Sequence, residues 1–101
     1  MQPIRLGIMG FGRVGRQLYQ LAVQDERFDV VAISDIGIAG ILHNLLTKTD
    51  HDLDVNLENN YLVSERGRTR LMSINRPTET PWDVFEVDVV IEATGRFCQL
   101  A

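Results

Sequence analysis

The chemistry in this chain starts with Gly10-Phe11-Gly12-Arg13-Val14-Gly15 and with Asp35, twenty residues beyond the last of those glycines. Each feature stands just past a short apolar run, Ile4 to Met9 and Phe28 to Ser34. Glycines at the first, third and sixth positions of such a turn do three separate jobs. Gly10 permits the tight turn out of a strand, Gly12 lets the backbone approach a pyrophosphate with no Cβ in the way, and Gly15 lets a helix pack close to the strand. The helix opening there aims the unpaired N–H groups around Gly12, Arg13 and Val14 at the ligand, with the positive end of its dipole behind them. A carboxylate at Asp35 accepts hydrogen bonds from an adenosine ribose and repels a 2′-phosphate. The pattern predicts a dinucleotide site for NAD, with NADP disfavoured. Eight glycines in 101 residues can reach this spacing by chance, leaving a plain loop and a turn-capping aspartate. The strand-turn-helix-strand context favours the dinucleotide reading.

The elements that must hold these residues are legible from periodicity. Ile4–Met9 reads as a buried strand, and residues 11–24 read as a helix. Val14, Leu18, Leu21 and Ala22 recur at helical spacing and are expected to cover the sheet. Phe28–Ser34 supplies a second strand, parallel to the first by the right-handed crossover rule. A further helix is expected over residues 38–46 and a loop over 47–54. The runs 57–64 and 69–74 flank Glu65-Arg66-Gly67-Arg68, which reads as a hairpin turn with Gly67 at positive φ. Trp82 to Phe85 suits one helical turn, and Val87-Asp88-Val89-Val90-Ile91-Glu92-Ala93 suits another parallel strand. Thr94-Gly95 follows it, so that three strand ends converge on one crevice at the carboxyl edge. The fold class expected is α/β, a partial doubly wound (Rossmann-type) sheet, mainly parallel, with a small antiparallel hairpin insertion. Residues 1–101 are expected to be one NAD(P)-binding domain.

Composition narrows the partners. Fourteen acidic against ten basic residues give a net charge of −4, and the arginines are scattered rather than blocked, which argues against nucleic acid. Arg66, Arg68 and Arg70 alternate along the hairpin and read as a solvated face. The single cysteine, Cys98, excludes an internal disulfide framework and suits a reducing, cytoplasmic setting. No apolar stretch suits a signal peptide or a membrane span. His43 and His51 have no cysteine neighbours that would suggest a metal site or a catalytic dyad. A last parallel strand left as an apolar edge favours a homo-oligomer, by dimerisation or strand exchange.

The runs Gly7-Ile8-Met9-Gly10-Phe11-Gly12-Arg13-Val14-Gly15-Arg16, Val31-Ala32-Ile33-Ser34-Asp35 and Val89-Val90-Ile91-Glu92-Ala93-Thr94-Gly95-Arg96-Phe97 carry a specific resemblance. Together they resemble the N-terminal NAD-binding region of the glyceraldehyde-3-phosphate dehydrogenase family, in order and spacing, across nearly the whole chain. Arg76-Pro77 ahead of Trp82 is similar to the family as well. The resemblance implies that the backbone of Arg13 and Val14 holds the pyrophosphate and Asp35 the adenosine ribose. It places Arg76 near the adenine, where an exposed loop arginine is the plainer reading, and Thr94 and Gly95 on the path to the nicotinamide. The family's catalytic cysteine and histidine are expected beyond residue 101, so the chain by itself is expected to bind cofactor without turnover. Cys98 reads as a packing residue or an incidental thiol. Two departures stand out: Met9 replaces the usual asparagine with a thioether that cannot donate a hydrogen bond, and residues 47–52 match the family only at Lys48 and Asp50. They suggest a divergent branch. A stand-alone nucleotide-binding regulatory module, and the cofactor half of another aldehyde or semialdehyde dehydrogenase, are the alternatives.

Overall fold

The computed structural model describes residues 2–35, 55–74 and 79–93. Strand β1 (Ile4–Met9) leads through the glycine turn into helix α1 (Arg13–Val23) and strand β2 (Phe28–Ser34). Strands β3 (Asn56–Glu58), β4 (Tyr61–Ser64) and β5 (Gly67–Met72) follow. A 3-10 turn, Trp82–Phe85, then precedes strand β6 (Val89–Glu92). All six strands share one sheet in the order β3-β4-β5-β2-β1-β6. The β1–β2, β1–β6 and β2–β5 pairs are parallel, and β3–β4 and β4–β5 are antiparallel. The expected fold class is the one observed, and the bounds of β1 and β2 match the apolar runs in the sequence.

One irregularity sets which side chains reach the core. The β1–β2 register shifts between Leu6 and Gly7, so Leu6 stands opposite Val30 while Ile8 stands opposite Ile33. An extra residue on one strand reverses the alternation beyond it. Val30 and Ile33 therefore both join the core cluster, with Leu6, Ile8, Phe11, Tyr19 and Ala22.

The stripe expected on the helix is corrected here. Gly15, Tyr19 and Ala22 are buried, whereas Val14 is 56% exposed and Leu21 72% exposed. Gly15 dictates this orientation, because a Cβ built there would lie 2.1 Å from the Gly10 carbonyl oxygen. Only a glycine can ride that close to the turn, and Tyr19 and Ala22 then share its face at i+4 and i+7. Tyr19, fully buried, shares a hydrogen bond with the Thr69 hydroxyl, which itself donates to the Val30 carbonyl at 2.6 Å. One polar chain thus ties α1 to β5 and β2, and burial pushes the Tyr19 hydroxyl up to about 12 despite that bond.

Three further expectations change in detail. The run 57–64 is two strands, broken by Asn59-Asn60 with Asn59 at φ 57°, a conformation asparagine tolerates better than most residues. The hairpin has Gly67 at positive φ as expected, 139°, but its turn is only Glu65-Arg66, because Gly67 already pairs with Ser64. Its second strand, β5, runs over Gly67–Met72 rather than 69–74 and pairs in parallel with β2 through Ala32↔Arg70 and Ser34↔Met72. Arg68 and Arg70 of the supposed solvated face lie over the Tyr61 ring, 4.3 and 5.4 Å from its centroid. The last strand is also shorter than expected: Glu86 is left-handed at φ 55°, and β6 begins only at Val89. On the face opposite α1, Trp82 covers Gly7 so closely that a Cβ there would meet the indole at 2.7 Å. The expected helix over residues 38–46 lies outside the described residues.

Candidate functional site

The carboxyl ends of β1, β2 and β6 lie side by side on one edge of the sheet. Met9 stands opposite Ser34 on one side and Glu92 on the other, and the Ala93 N–H donates to the Met9 carbonyl at 2.7 Å. The glycine turn leaves this edge. Gly10 adopts φ 98°, a conformation that side chains rarely allow, while its N–H donates to the Ser34 carbonyl at 2.7 Å. The turn is thereby fastened to the end of β2.

Gly12 is the N-cap of α1, at φ −77° and ψ −155°. It is exposed, and a Cβ built on it would meet nothing within 4 Å. This is the reverse of Gly15: one glycine is required by the protein's own packing, the other faces open space. The first intrahelical bond runs from the Arg16 N–H to the Gly12 carbonyl at 2.9 Å, so the N–H groups before it have no helical partner. Among the described residues no side chain caps this end, and no acidic residue lies in the first turn. The helix dipole and the orphan donors therefore present an uncompensated positive field beside the open space over Gly12, which suits an anion. Arg13 and Val14 are both exposed there.

Phe11 contributes to this edge through its backbone. Its ring is 1% exposed and stands edge-on to Tyr19, with centroids 5.9 Å apart and planes at 83°. The Phe11 N–H donates to Asp35 Oδ2 at 2.7 Å. Asp35 follows β2 directly and is itself fixed by its own N–H, which donates to the Met72 carbonyl at 2.8 Å. A carboxylate offers about four acceptor positions, so Asp35 can hold the turn and still accept from a sugar hydroxyl. The glycine turn, the start of α1 and Asp35 are thus brought together as the spacing implied. Arg76, Thr94 and Gly95 lie outside the described residues, as do Cys98, His43 and His51.

Met9, which stands where an asparagine was expected, is only 1% exposed. Its side chain is buried, and its carbonyl accepts from the Ala93 N–H at the edge. Sequence reasoning missed two contributors. The Ser34 hydroxyl donates to the Ile74 carbonyl at 2.5 Å and holds the end of β5 against β2 beside Asp35. The Arg16 guanidinium donates to the Phe11 carbonyl at 3.4 Å. Nothing in the sequence marks Ser34 for this, since its partner is forty residues away; Arg16 lies one turn beyond Gly12 and was legible by helical spacing. A hollow of about 440 Å³ lined by Tyr61, Arg70, Met72, Pro81, Val84 and Phe85 involves none of the glycine-turn residues. Among the described residues, no cluster of His, Cys, Asp or Glu could hold a metal ion, and no helix is long and apolar enough to cross a membrane.

Comparison with known proteins agrees with this geometry. Residues 4–100 match the family model of the glyceraldehyde 3-phosphate dehydrogenase NAD binding domain. The chain is 41% identical over 98 residues to the glyceraldehyde-3-phosphate dehydrogenase of Buchnera aphidicola subsp. Schizaphis graminum, covering 93% of the chain and 30% of that relative. It is 35% identical over 97 residues to glyceraldehyde-3-phosphate dehydrogenase 1 of Bacillus cereus, covering 92% of the chain and 29% of that relative. It is 36% identical over 98 residues to the enzyme of Heyndrickxia coagulans, covering 93% of the chain and 29% of that relative. The chain thus spans about 30% of the length of these relatives. A glycine turn and an aspartate at the carboxyl ends of parallel strands, and a match across nearly all its residues, lead to one conclusion: the chain belongs to the NAD-binding domain family of glyceraldehyde 3-phosphate dehydrogenase.

Proposed function

We propose that this chain is the cofactor-binding portion of an NAD-dependent oxidoreductase that oxidises a phosphorylated aldehyde such as glyceraldehyde 3-phosphate. The observation that carries the reading is the open space over Gly12 at the uncapped start of α1, with Asp35 beside it. In this reading the backbone of Gly12, Arg13 and Val14 holds the pyrophosphate, and Asp35 accepts from the adenosine ribose. The family resemblance assigns Arg76 to the adenine and Thr94 and Gly95 to the way to the nicotinamide. The bound cofactor supplies a hydride acceptor; the chain binds and orients it. Because a carboxylate repels a 2′-phosphate, NAD is taken in preference to NADP.

The names of the relatives support the choice of aldehyde. The described residues include no cysteine or histidine, so the nucleophile and base of such a reaction have no place among them. With Cys98 read as a packing or incidental thiol, the chain alone is proposed to bind without turnover. The exposed Val89 and Val90 on β6, the outermost strand on its side of the described sheet, support pairing with a second copy. A lone cysteine supports a cytoplasmic setting.

Isothermal titration of the chain with NAD and with NADP tests the reading. Saturable NAD binding is expected, with NADP weaker by about tenfold or more, the equivalent of roughly 1.4 kcal/mol. Equal affinities would remove the role given to Asp35, and no binding of either would remove the site. Light scattering across micromolar concentrations tests the pairing, which a clean monomer throughout would exclude.

A further inference from the structure

We propose that Asp35 is a positioning residue for the glycine turn, so that the diphosphate site depends on its carboxylate even when the ligand has no ribose hydroxyl to offer. The inference rests on the nucleotide-binding reading above and adds to it a coupling between two subsites.

Phe11 lies between two glycines, Gly10 and Gly12, in the part of the chain with the most backbone freedom to lose. Three groups hold it. Its N–H is bonded to Asp35 Oδ2 at 2.7 Å, its carbonyl accepts from Arg16 Nη1 at 3.4 Å, and its ring is buried against Tyr19. The first is the short, charge-assisted bond; the second is long for a hydrogen bond. Asp35 is in turn fixed by its own N–H on the Met72 carbonyl, which ties the carboxylate to the β2–β5 pairing. The residue after Phe11 is the N-cap of α1, and the orphan N–H groups follow it directly. A rotation of the Phe11 peptide would therefore re-aim the donors that meet the diphosphate. The carboxylate bond is what prevents that rotation.

Electrostatics alone makes the opposite forecast. A carboxylate near an anion site repels the anion, so removing it should tighten diphosphate binding. Positioning says that removal loosens it. The two effects differ in sign, which makes the inference decidable.

The experiment titrates the full 101-residue chain with ADP and with 2′,3′-dideoxy-ADP, which keeps the diphosphate and adenine and lacks both hydroxyls that Asp35 would accept from. Asp35→Ala is expected to weaken dideoxy-ADP binding about tenfold, the scale of one charge-assisted hydrogen bond. Asp35→Asn, whose side-chain carbonyl can accept the Phe11 N–H, is expected to restore most of that loss. Asp35→Glu keeps the charge and displaces the acceptor by one methylene, so it too is expected to weaken dideoxy-ADP, and it serves if the alanine variant does not fold. Dideoxy-ADP binding that is unchanged or tighter in the folded variants overturns the inference. So does a wild-type chain that binds ADP but not dideoxy-ADP, which would put the whole effect on the ribose. A wild-type chain that binds neither nucleotide overturns the nucleotide-binding reading itself.

Discussion

Gly12→Ala should separate folding from binding, because the structure gives Gly12 no internal reason to be glycine. An added Cβ meets nothing within 4 Å, and φ −77° is open to any L-residue. Two small effects on stability then oppose one another. Alanine restricts the unfolded chain, which favours folding by about 0.4–1 kcal/mol, while alanine is a poorer N-cap than glycine by a similar amount. The net change should stay within about 1 kcal/mol, so the melting temperature should move by no more than about 4–8 °C. Binding should respond far more. A methyl at the N-cap holds the pyrophosphate away from the orphan N–H groups, and losing one hydrogen bond to a charged group costs about 1.5–3 kcal/mol, or roughly 10- to 100-fold in affinity. Gly15→Ala is the matched control. Its Cβ would lie 2.1 Å from the Gly10 carbonyl oxygen and 3.0 Å from its carbon, so backbone must move. The helix-propensity gain of about 1 kcal/mol for alanine over glycine cannot offset a clash with main chain, and overpacking of this kind costs roughly 1–3 kcal/mol or more. Circular dichroism melts and NAD titration on both variants would decide the matter. A Gly12→Ala protein that binds NAD like wild type would refute the argument, and so would one that unfolds.

Alkaline titration should expose the buried hydroxyl of Tyr19. Its folded-state value is raised from 10.0 to about 12, chiefly by burial, so the stability it contributes is fully present below pH 10 and is lost as pH climbs toward 12. The loss should total about 2–3 kcal/mol by linkage, and Tyr19→Phe should flatten that stretch of the stability profile; an unchanged slope in the variant would exclude the assignment. At the acid end, the Arg27 guanidinium bonded to Asp25 holds that carboxyl down at about 2 from 3.8. A depressed carboxyl contributes above the unfolded value, so its effect should be present above about pH 4 and fade toward pH 2. Asp25 lies at the surface where salt screens it, so added salt and Asp25→Asn should both erase this small component in melts against pH.

What the sequence made legible follows from what is local. The bounds of β1 and β2 are fixed by unbroken apolar runs ending in a glycine turn and an aspartate, and both agree with the structure. The helix face was misjudged because aliphatic residues alone were used to find it. Gly15 already carried the answer: a glycine needed for close approach must point at the strand, and Tyr19 and Ala22 then share its face while Val14 and Leu21 cannot. Asn59-Asn60 was a turn signal inside a run read as one strand. The parallel pairing of β5 with β2, the Ser34 bond to Ile74 and the cover of Trp82 over Gly7 were not legible, since each joins residues dozens of positions apart with no shared local pattern.

The two ends of the parallel strands are built to opposite rules, and the contrast supports the anion site proposed at the carboxyl edge. At the amino end, charged side chains are spent on the protein itself. Arg5 donates from Nε to the Glu86 carbonyl at 3.0 Å and from a terminal nitrogen to the Phe85 carbonyl at 2.8 Å, and its backbone N–H donates to the Asp88 carboxylate at 2.9 Å. The same guanidinium pairs with Asp29 at 3.5 Å. One residue of β1 thereby joins the 3-10 turn, the entry to β6 and the start of β2. Asp25 and Arg27 close the turn between α1 and β2 at this end. At the carboxyl edge, the start of α1 has, among the described residues, neither a side-chain cap nor an acid in its first turn. Asp35, the carboxylate of the described residues that bonds the glycine turn, grips the backbone one residue before the N-cap instead of capping the helix. Had that carboxylate reached the N–H groups of the first turn, it would have neutralised the field that an incoming phosphate needs. Held on Phe11, it leaves those donors open to the proposed ligand.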